Sequence, residues 1–250
     1  MEAYSIVGGA PLCGEAAVYG AKNAVLPLMA ACMLVRGQIK LSGCPDLSDV
    51  RSMSRVLESF GCKAAREGRE LIVDSAGAAA GAMPETLSKK MRSSIFLLGP
   101  VLARFGQADF TYPGGCEIGL RPIDLHLQGL RALGARVTAD GKALRVQPVT
   151  EQAHGAADCG ESGATLRFLL PVAAALGRET TFRLHGRLPQ RPLGPLWEAL
   201  EAHGVRLSRP APGELLCAGR LENGRFLLPG DVSSQFFSGL LFALPLIFGN

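Results

Sequence analysis

Residues 23–36, NAVLPLMAACMLVR, are followed by QIKL at 38–41, DLSDVRSMSRVLESF at 46–60, and CKAAR and RELIVD at 62–66 and 69–74. The first run is apolar on every face, which predicts a buried helix. The second predicts a short strand. The third places Val50, Met53, Val56 and Leu57 on one side and charges on the other, as an amphipathic helix requires. Gly61 then separates that helix from two short strands. The same succession returns with a period of about seventy residues. Its second appearance predicts a helix over 91–104, a strand over 108–112, a helix over 121–133, and strands over 135–138 and 143–147. Its third predicts a helix over 164–176, a strand over 180–184, a helix over 191–203, and strands over 205–208 and 214–218. A fourth opens at Ser233-Ser234-Gln235 with a helix reaching Phe248. Gly61, Gly134 and Gly204 stand at matching positions, each suited to the left-handed conformation that ends a helix. Arg121-Pro122 and Arg191-Pro192 place proline where a helix start tolerates it. Strands this short beside helices this long predict an α/β (α+β) fold with helices packed inside short sheets. One unit cannot bury both its helices, so neighbours must share a core. The stretches 76–81 and 148–157 read as loops joining units.

The chain has 250 residues, 48% of them hydrophobic and 19% charged. That balance excludes a disordered chain. The longest apolar runs, 24–35 and 236–248, are too short to span a bilayer, and both contain proline. Met1-Glu2 begins no basic, apolar leader, so no secretion signal is expected. The net charge of +4 suits small anionic ligands. Nothing resembles the clustered basic and aromatic track of a nucleic-acid surface. Seven dispersed cysteines, at 13, 32, 44, 62, 116, 159 and 217, form no CxxC pair. They predict reduced thiols in a cytoplasm and no metal site. Cys32, inside an apolar run, is expected in the core.

One cysteine stands apart. Cys116 lies in Pro113-Gly114-Gly115-Cys116-Glu117-Ile118-Gly119, directly before Arg121-Pro122-Ile123-Asp124-Leu125-His126. Glycines on both sides let backbone approach a ligand and let the loop move. Arg121 adds a fixed cation where a helix dipole already favours an anion. The pattern points to a reactive thiol beside an anion site. A small buried cysteine in a glycine-rich turn is the alternative.

Three passages carry a resemblance over roughly residues 14–147: Gly20-Ala21-Lys22-Asn23-Ala24, Lys90-Met91-Arg92-Ser93-Ser94, and Pro113 to Leu125. They closely resemble the UDP-N-acetylglucosamine enolpyruvyl transferase family of peptidoglycan synthesis. Over roughly 157–249 the resemblance is to another branch of the enolpyruvyl transferase superfamily, the EPSP synthases of the shikimate pathway. It rests on Asp158-Cys159-Gly160-Glu161-Ser162-Gly163-Ala164-Thr165-Leu166-Arg167, on Gly186 to Leu193, and on Leu228 to Phe236. The chain thus looks like a splice of two paralogues, joined near 150–157 with the unit register kept. The resemblance implies a segment at 1–19, two units of the first type at 20–150, a unit of the second type at 151–224 and the start of another at 225–250. It implies inside-out α/β barrels of βαβαββ units, two such domains per enzyme with the active site between them. Most of a second domain would then be missing here.

Both families move the enolpyruvyl group of phosphoenolpyruvate onto a substrate hydroxyl and release phosphate, with no cofactor. By resemblance Lys22 binds phosphoenolpyruvate and Asn23 hydrogen-bonds the sugar. A solvated lysine and a plain N-cap are the alternatives. Arg92 would contact the anionic substrates, and Arg121 would grip phosphate with a bidentate fork that lysine lacks. Pro122, Ile123, Asp124 and Leu125 would lie along the uridine, with Asp124 accepting from the uracil N–H. Cys116 would protonate the vinyl carbon or add to it, and would be the target of fosfomycin. In the second portion Gly163, Arg187 and Gln235 match phosphoenolpyruvate positions, and Ser233 and Ser234 match hydroxyls that hold the phosphate of shikimate 3-phosphate. N-capping by those serines is the alternative. Glu161 adds a carboxylate where many relatives carry Asn. The main expectation is carboxyvinyl transfer to UDP-N-acetylglucosamine, the second an EPSP synthase. The reading from another class is a non-catalytic half-enzyme that binds UDP-sugar or phosphate. Small-molecule partners are expected, with neither nucleic acid nor membrane among them.

Overall fold

The computed structural model describes residues 5, 7–9, 11, 13–18, 20–88, 92–111, 123–140, 143–148 and 155–247, except for the side chains of Ser88 and Arg92. The chain opens with α1 (Lys22–Ala31), continued by a 3-10 turn at Cys32–Leu34, then β1 (Gln38–Leu41), α2 (Ser48–Ser59), β2 (Lys63–Glu67) and β3 (Glu70–Asp74). A short α3 (Glu85–Ser88) and a 3-10 segment (Arg92–Leu97) lead to α4 (Leu98–Phe105), β4 (Ala108–Thr111), α5 (Asp124–Ala132), β5 (Ala135–Asp140) and β6 (Ala143–Pro148). Next come β7 (Ala156–Asp158), α6 (Gly163–Leu176), β8 (Thr180–Arg183), a 3-10 turn (Leu188–Gln190), α7 (Gly194–Glu201), β9 (Val205–Ser208) and β10 (Glu214–Gly219). The last helix is α8 (Ser234–Ala243), with a 3-10 turn at Leu244–Leu246. The molecule is therefore of the mixed α/β class.

Among the described residues three sheets form, ordered β1-β3-β2, β4-β6-β5 and β7-β8-β10-β9. Pairing is antiparallel except for β7 on β8, where Ala157 faces Phe182. The parallel β7 corrects part of the loop expected over 148–157. Its Ala-Ala-Asp sequence has little strand propensity, and it forms because β8 offers a free edge. In the second sheet Ala82 makes a comparable parallel bridge to Asp109 on the edge of β4. There Asp109 faces Arg145 across the β4–β6 pair at 2.6 Å, and that hydrogen bond holds its carboxyl below the ordinary value.

The interior is helical. α6 buries ten residues around its circumference, including Leu166, Leu170 and Ala173, and packs against α8, which also packs against α1. By contrast α2 buries only the stripe Val50, Met53, Val56 and Leu57. Arg104, at the end of α4, donates to the carbonyls of Met33 and Ser75 at 2.9 and 2.7 Å. It thereby ties the second set of elements to the first. Gly61, Gly134 and Gly204 all have positive φ, at 85°, 93° and 86°. Cys32 is buried, as expected. The helix expected from 191 starts at Gly194, because Arg191-Pro192 follow a 3-10 turn instead. Among the described residues no helix is long and apolar enough to cross a membrane.

Candidate functional site

Most of the candidate site residues that the structure describes fall at the starts of helices, where unpaired N–H groups and the helix dipole favour anions. Lys22 is the first residue of α1. Ala21 occupies the N-cap without any side-chain hydrogen bond, and the first turn holds no acid. Asn23 therefore lies one residue inside the helix and is exposed, which removes the N-cap alternative for it. The half-exposed ammonium of Lys22 meets Asp49 Oδ2 of α2 at 2.7 Å. Arg92 begins a 3-10 segment. Cys116, Arg121 and Pro122 lie outside the described residues. Ile123, just before α5, is buried in the core. Asp124 is exposed in the first turn of α5.

The second group is drawn together around the start of α6. Ser162 caps that helix, accepting from Thr165 N at 3.2 Å and from the Thr165 hydroxyl at 2.8 Å. Gly163 follows it. A Cβ there would stand 3.1 Å from Arg167 Nη1 and 3.4 Å from Arg191 Nη1, so two guanidinium groups crowd over the helix start. Arg167 donates to Gln235 Oε1 at 2.9 Å and to the carbonyl of Pro192 at 3.0 Å. Burial first, and then the charge of Arg191, lower the Arg167 guanidinium from its ordinary value. With its oxygen held, the Gln235 amide has its N–H groups left to donate. Ser233 caps α8, accepting from Gln235 N at 3.3 Å, and Ser234 is the first residue of the helix. The cap expected as an alternative role for the serines is thus real for Ser233.

Arg187 is exposed, and its backbone N–H donates to Glu161 Oε2 at 3.3 Å. The Glu161 carboxylate lies directly over Gly186, so it occupies space beside this cation group. The turn beneath is fixed by Asp158, which accepts from Gly160 N at 2.8 Å and meets His185 at 3.1 Å. Leu125 packs on Gly160, and His126 Nδ1 lies 3.2 Å from the Thr165 hydroxyl. The start of α5 and the start of α6 therefore touch, although they carry the two different resemblances.

Sequence reasoning missed Arg167, Arg191 and Asp49. The signal for Arg167 was present, since it stands four residues after Gly163 and so on the same helix face. Asp49 is brought to Lys22 only by the packing of α1 on α2. An apolar cavity of about 370 Å³ lies between α4, α5, α6 and α8, lined by Phe96, Leu130, Phe168, Val172 and Phe242. Among the described residues, no predicted site residue lines it.

The family model for EPSP synthase (3-phosphoshikimate 1-carboxyvinyltransferase) matches residues 6–152 and again 137–249. A UDP-N-acetylglucosamine 1-carboxyvinyltransferase 2 of Caldanaerobacter subterraneus subsp. tengcongensis is 37% identical over 88% of this chain and 52% of its own length. The UDP-N-acetylglucosamine 1-carboxyvinyltransferase of Cellvibrio japonicus is 34% identical over 93% of this chain and 59% of its own. The chain thus spans somewhat more than half the length of these relatives. The crystal structure of the enolpyruvyl transferase NikO from Streptomyces tendae aligns with TM-score 0.54 and 16% identity, over 85% of this chain and 50% of that one.

Proposed function

Because the chain belongs to the EPSP synthase (3-phosphoshikimate 1-carboxyvinyltransferase) family, we propose that it binds phosphoenolpyruvate and serves carboxyvinyl transfer to UDP-N-acetylglucosamine. The observation that carries this reading is the convergence of Arg167, Arg191 and Gln235 on the start of α6. Donors there, with Arg167 held by its bonds to Gln235 Oε1 and the Pro192 carbonyl, suit a dianionic phosphate. The acceptor is chosen because the relatives matched over most of the chain carry that name.

In the reaction a proton adds to C3 of phosphoenolpyruvate and the acceptor hydroxyl oxygen bonds to C2. The hydroxyl gives up its proton as that bond forms; the C2–O bond to phosphate then breaks, phosphate leaves, and C3 loses a proton to restore the double bond. Cys116 is proposed to deliver the proton or to trap C2 as a thioether. Lys22, Arg92 and Arg121 hold phosphate and carboxylate, while Asn23 and 122–125 face the UDP-sugar. Gly163, Arg187, Ser233, Ser234 and Gln235 form the corresponding anion contacts of the later portion. We further propose that the sheets belong to βαβαββ units of an inside-out barrel. The parallel additions of Ala82 to β4 and of β7 to β8 support this, each opening a unit. The segments 20–150, 151–224 and 225–250 are read as two units of one paralogue type, one of the other and the start of a fourth. A second domain completes the cleft, and the reduced thiols suit a cytoplasmic setting.

The test is phosphate release from phosphoenolpyruvate with UDP-N-acetylglucosamine or shikimate 3-phosphate as acceptor, alongside mass spectrometry after fosfomycin treatment. The expected result is an adduct on Cys116 and turnover with the UDP-sugar. Turnover with shikimate 3-phosphate alone would favour the EPSP synthase reading. Glu161 at the Arg187 N–H favours a second reading, a half-enzyme that binds without turnover. Calorimetric binding with no phosphate release would select it.

A further inference from the structure

We infer that Asp49 is a positioning residue that aims the Lys22 ammonium, an inference that rests on the proposed phosphoenolpyruvate role of Lys22. A lysine that opens a helix faces the positive end of the dipole, and α1 has neither a side-chain cap nor a first-turn acid to offset it. Left alone, that flexible side chain would spread over many rotamers in solvent. Asp49 supplies the missing carboxylate from the first turn of α2, at 2.7 Å from Nζ.

The framework on either side is built to hold that distance. Arg66 of β2 donates to the carbonyls of Cys44 and Pro45, each at 3.0 Å, and so fixes the loop that delivers α2. On the other side Gly20 presses on the same loop. A Cβ at Gly20 would stand 2.5 Å from the Gly43 carbonyl oxygen, so only glycine lets the chain enter α1 this close. Asp49 therefore holds one N–H of Lys22, and the ammonium carries two more that can donate to an anion.

The sign of the effect separates positioning from bulk electrostatics. Removing a carboxylate should strengthen anion binding if only net charge matters. If Asp49 aims Lys22, Asp49→Asn should weaken phosphoenolpyruvate binding by about two- to fivefold, the worth of a half-exposed pair. Asp49→Glu should keep it, and Lys22→Ala/Asp49→Asn should bind no worse than Lys22→Ala. A ligand-free readout runs in parallel, the rate at which a succinimidyl ester acylates Lys22 at neutral pH, read by peptide mass spectrometry. Pairing slows acylation, so Asp49→Asn should speed it by a similar factor. Unchanged acylation, or unchanged or tighter binding in Asp49→Asn, overturns the inference. Absence of phosphoenolpyruvate binding in the unaltered chain would instead defeat the functional reading, and the inference with it.

Discussion

Thiol chemistry depends on how readily each sulfur can lose its proton. Burial pushes the thiols of Cys32, Cys159 and Cys217 up to about 12, and Cys62 is raised by the same cause. Cys13 is exposed. A thiolate is the nucleophile, so at pH 7.5 a maleimide should modify Cys13 within minutes. It should reach Cys32, Cys159 and Cys217 only after denaturation. Peptide mapping with and without denaturant checks this, and labelling of Cys159 in the folded protein would contradict the burial described here. At this scale the sequence was informative where function follows from local position. The apolar run after Lys22 located a helix start, while the anion role there came from the family resemblance and not from residue type. It was silent where a role needs a partner from elsewhere. Asp49 reaches Lys22 across the α1–α2 contact, and no periodicity in either helix announces that pair.

Elements were legible where hydrophobic periodicity is strong. The strand at 38–41 and the two after Gly204 match their predicted positions closely, because turn glycines bracket them. β7 was missed because its pairing comes from the free edge of β8 and not from its own residues. The crossing of α6 and α8 was also unreadable, although its parts stand in the sequence. Pro171 has no N–H to offer the carbonyl of Arg167, four residues earlier. α8 approaches that carbonyl at Gly239, where a Cβ would collide with the Arg167 oxygen and crowd Pro171. Gly239→Ala should therefore cost about 1–3 kcal/mol, as overpacking against backbone does. Gly129→Ala on α5 is the control. Its Cβ would clash with Cδ1 of Leu169, the end of a side chain that can rotate away, and would meet Thr165 Cγ2 at an ordinary contact distance of 3.8 Å. Urea denaturation of both variants should find Gly239→Ala the more damaging, and equal losses would show that the α6–α8 crossing relaxes as easily as a leucine.

Across the whole molecule, two bodies of buried side chains are joined through α6. One is built mainly from α1, α2, α4 and the first two sheets, the other from the third sheet with α6, α7 and α8. Phe168 lies on α6, yet it packs in the first body. Its ring makes edge contacts with Phe96 at 5.7 Å and Phe242 at 5.6 Å. Val172, one turn later, touches both bodies. The two stretches with different resemblances thus share a core, and the chain should unfold as a single cooperative unit. Phe168→Ala removes the ring common to both contacts and should cost about 3–5 kcal/mol. For a chain of this size that lowers the melting temperature by on the order of 10 °C. Phe168→Leu should recover much of the loss, since it refills most of the space. Scanning calorimetry decides the matter, with agreement between the calorimetric and van't Hoff enthalpies of the unaltered chain as the mark of one transition. Two resolved transitions there, with Phe168→Ala shifting only one, would mean that the first two sheets and the third fold as separate bodies despite the aromatic bridge.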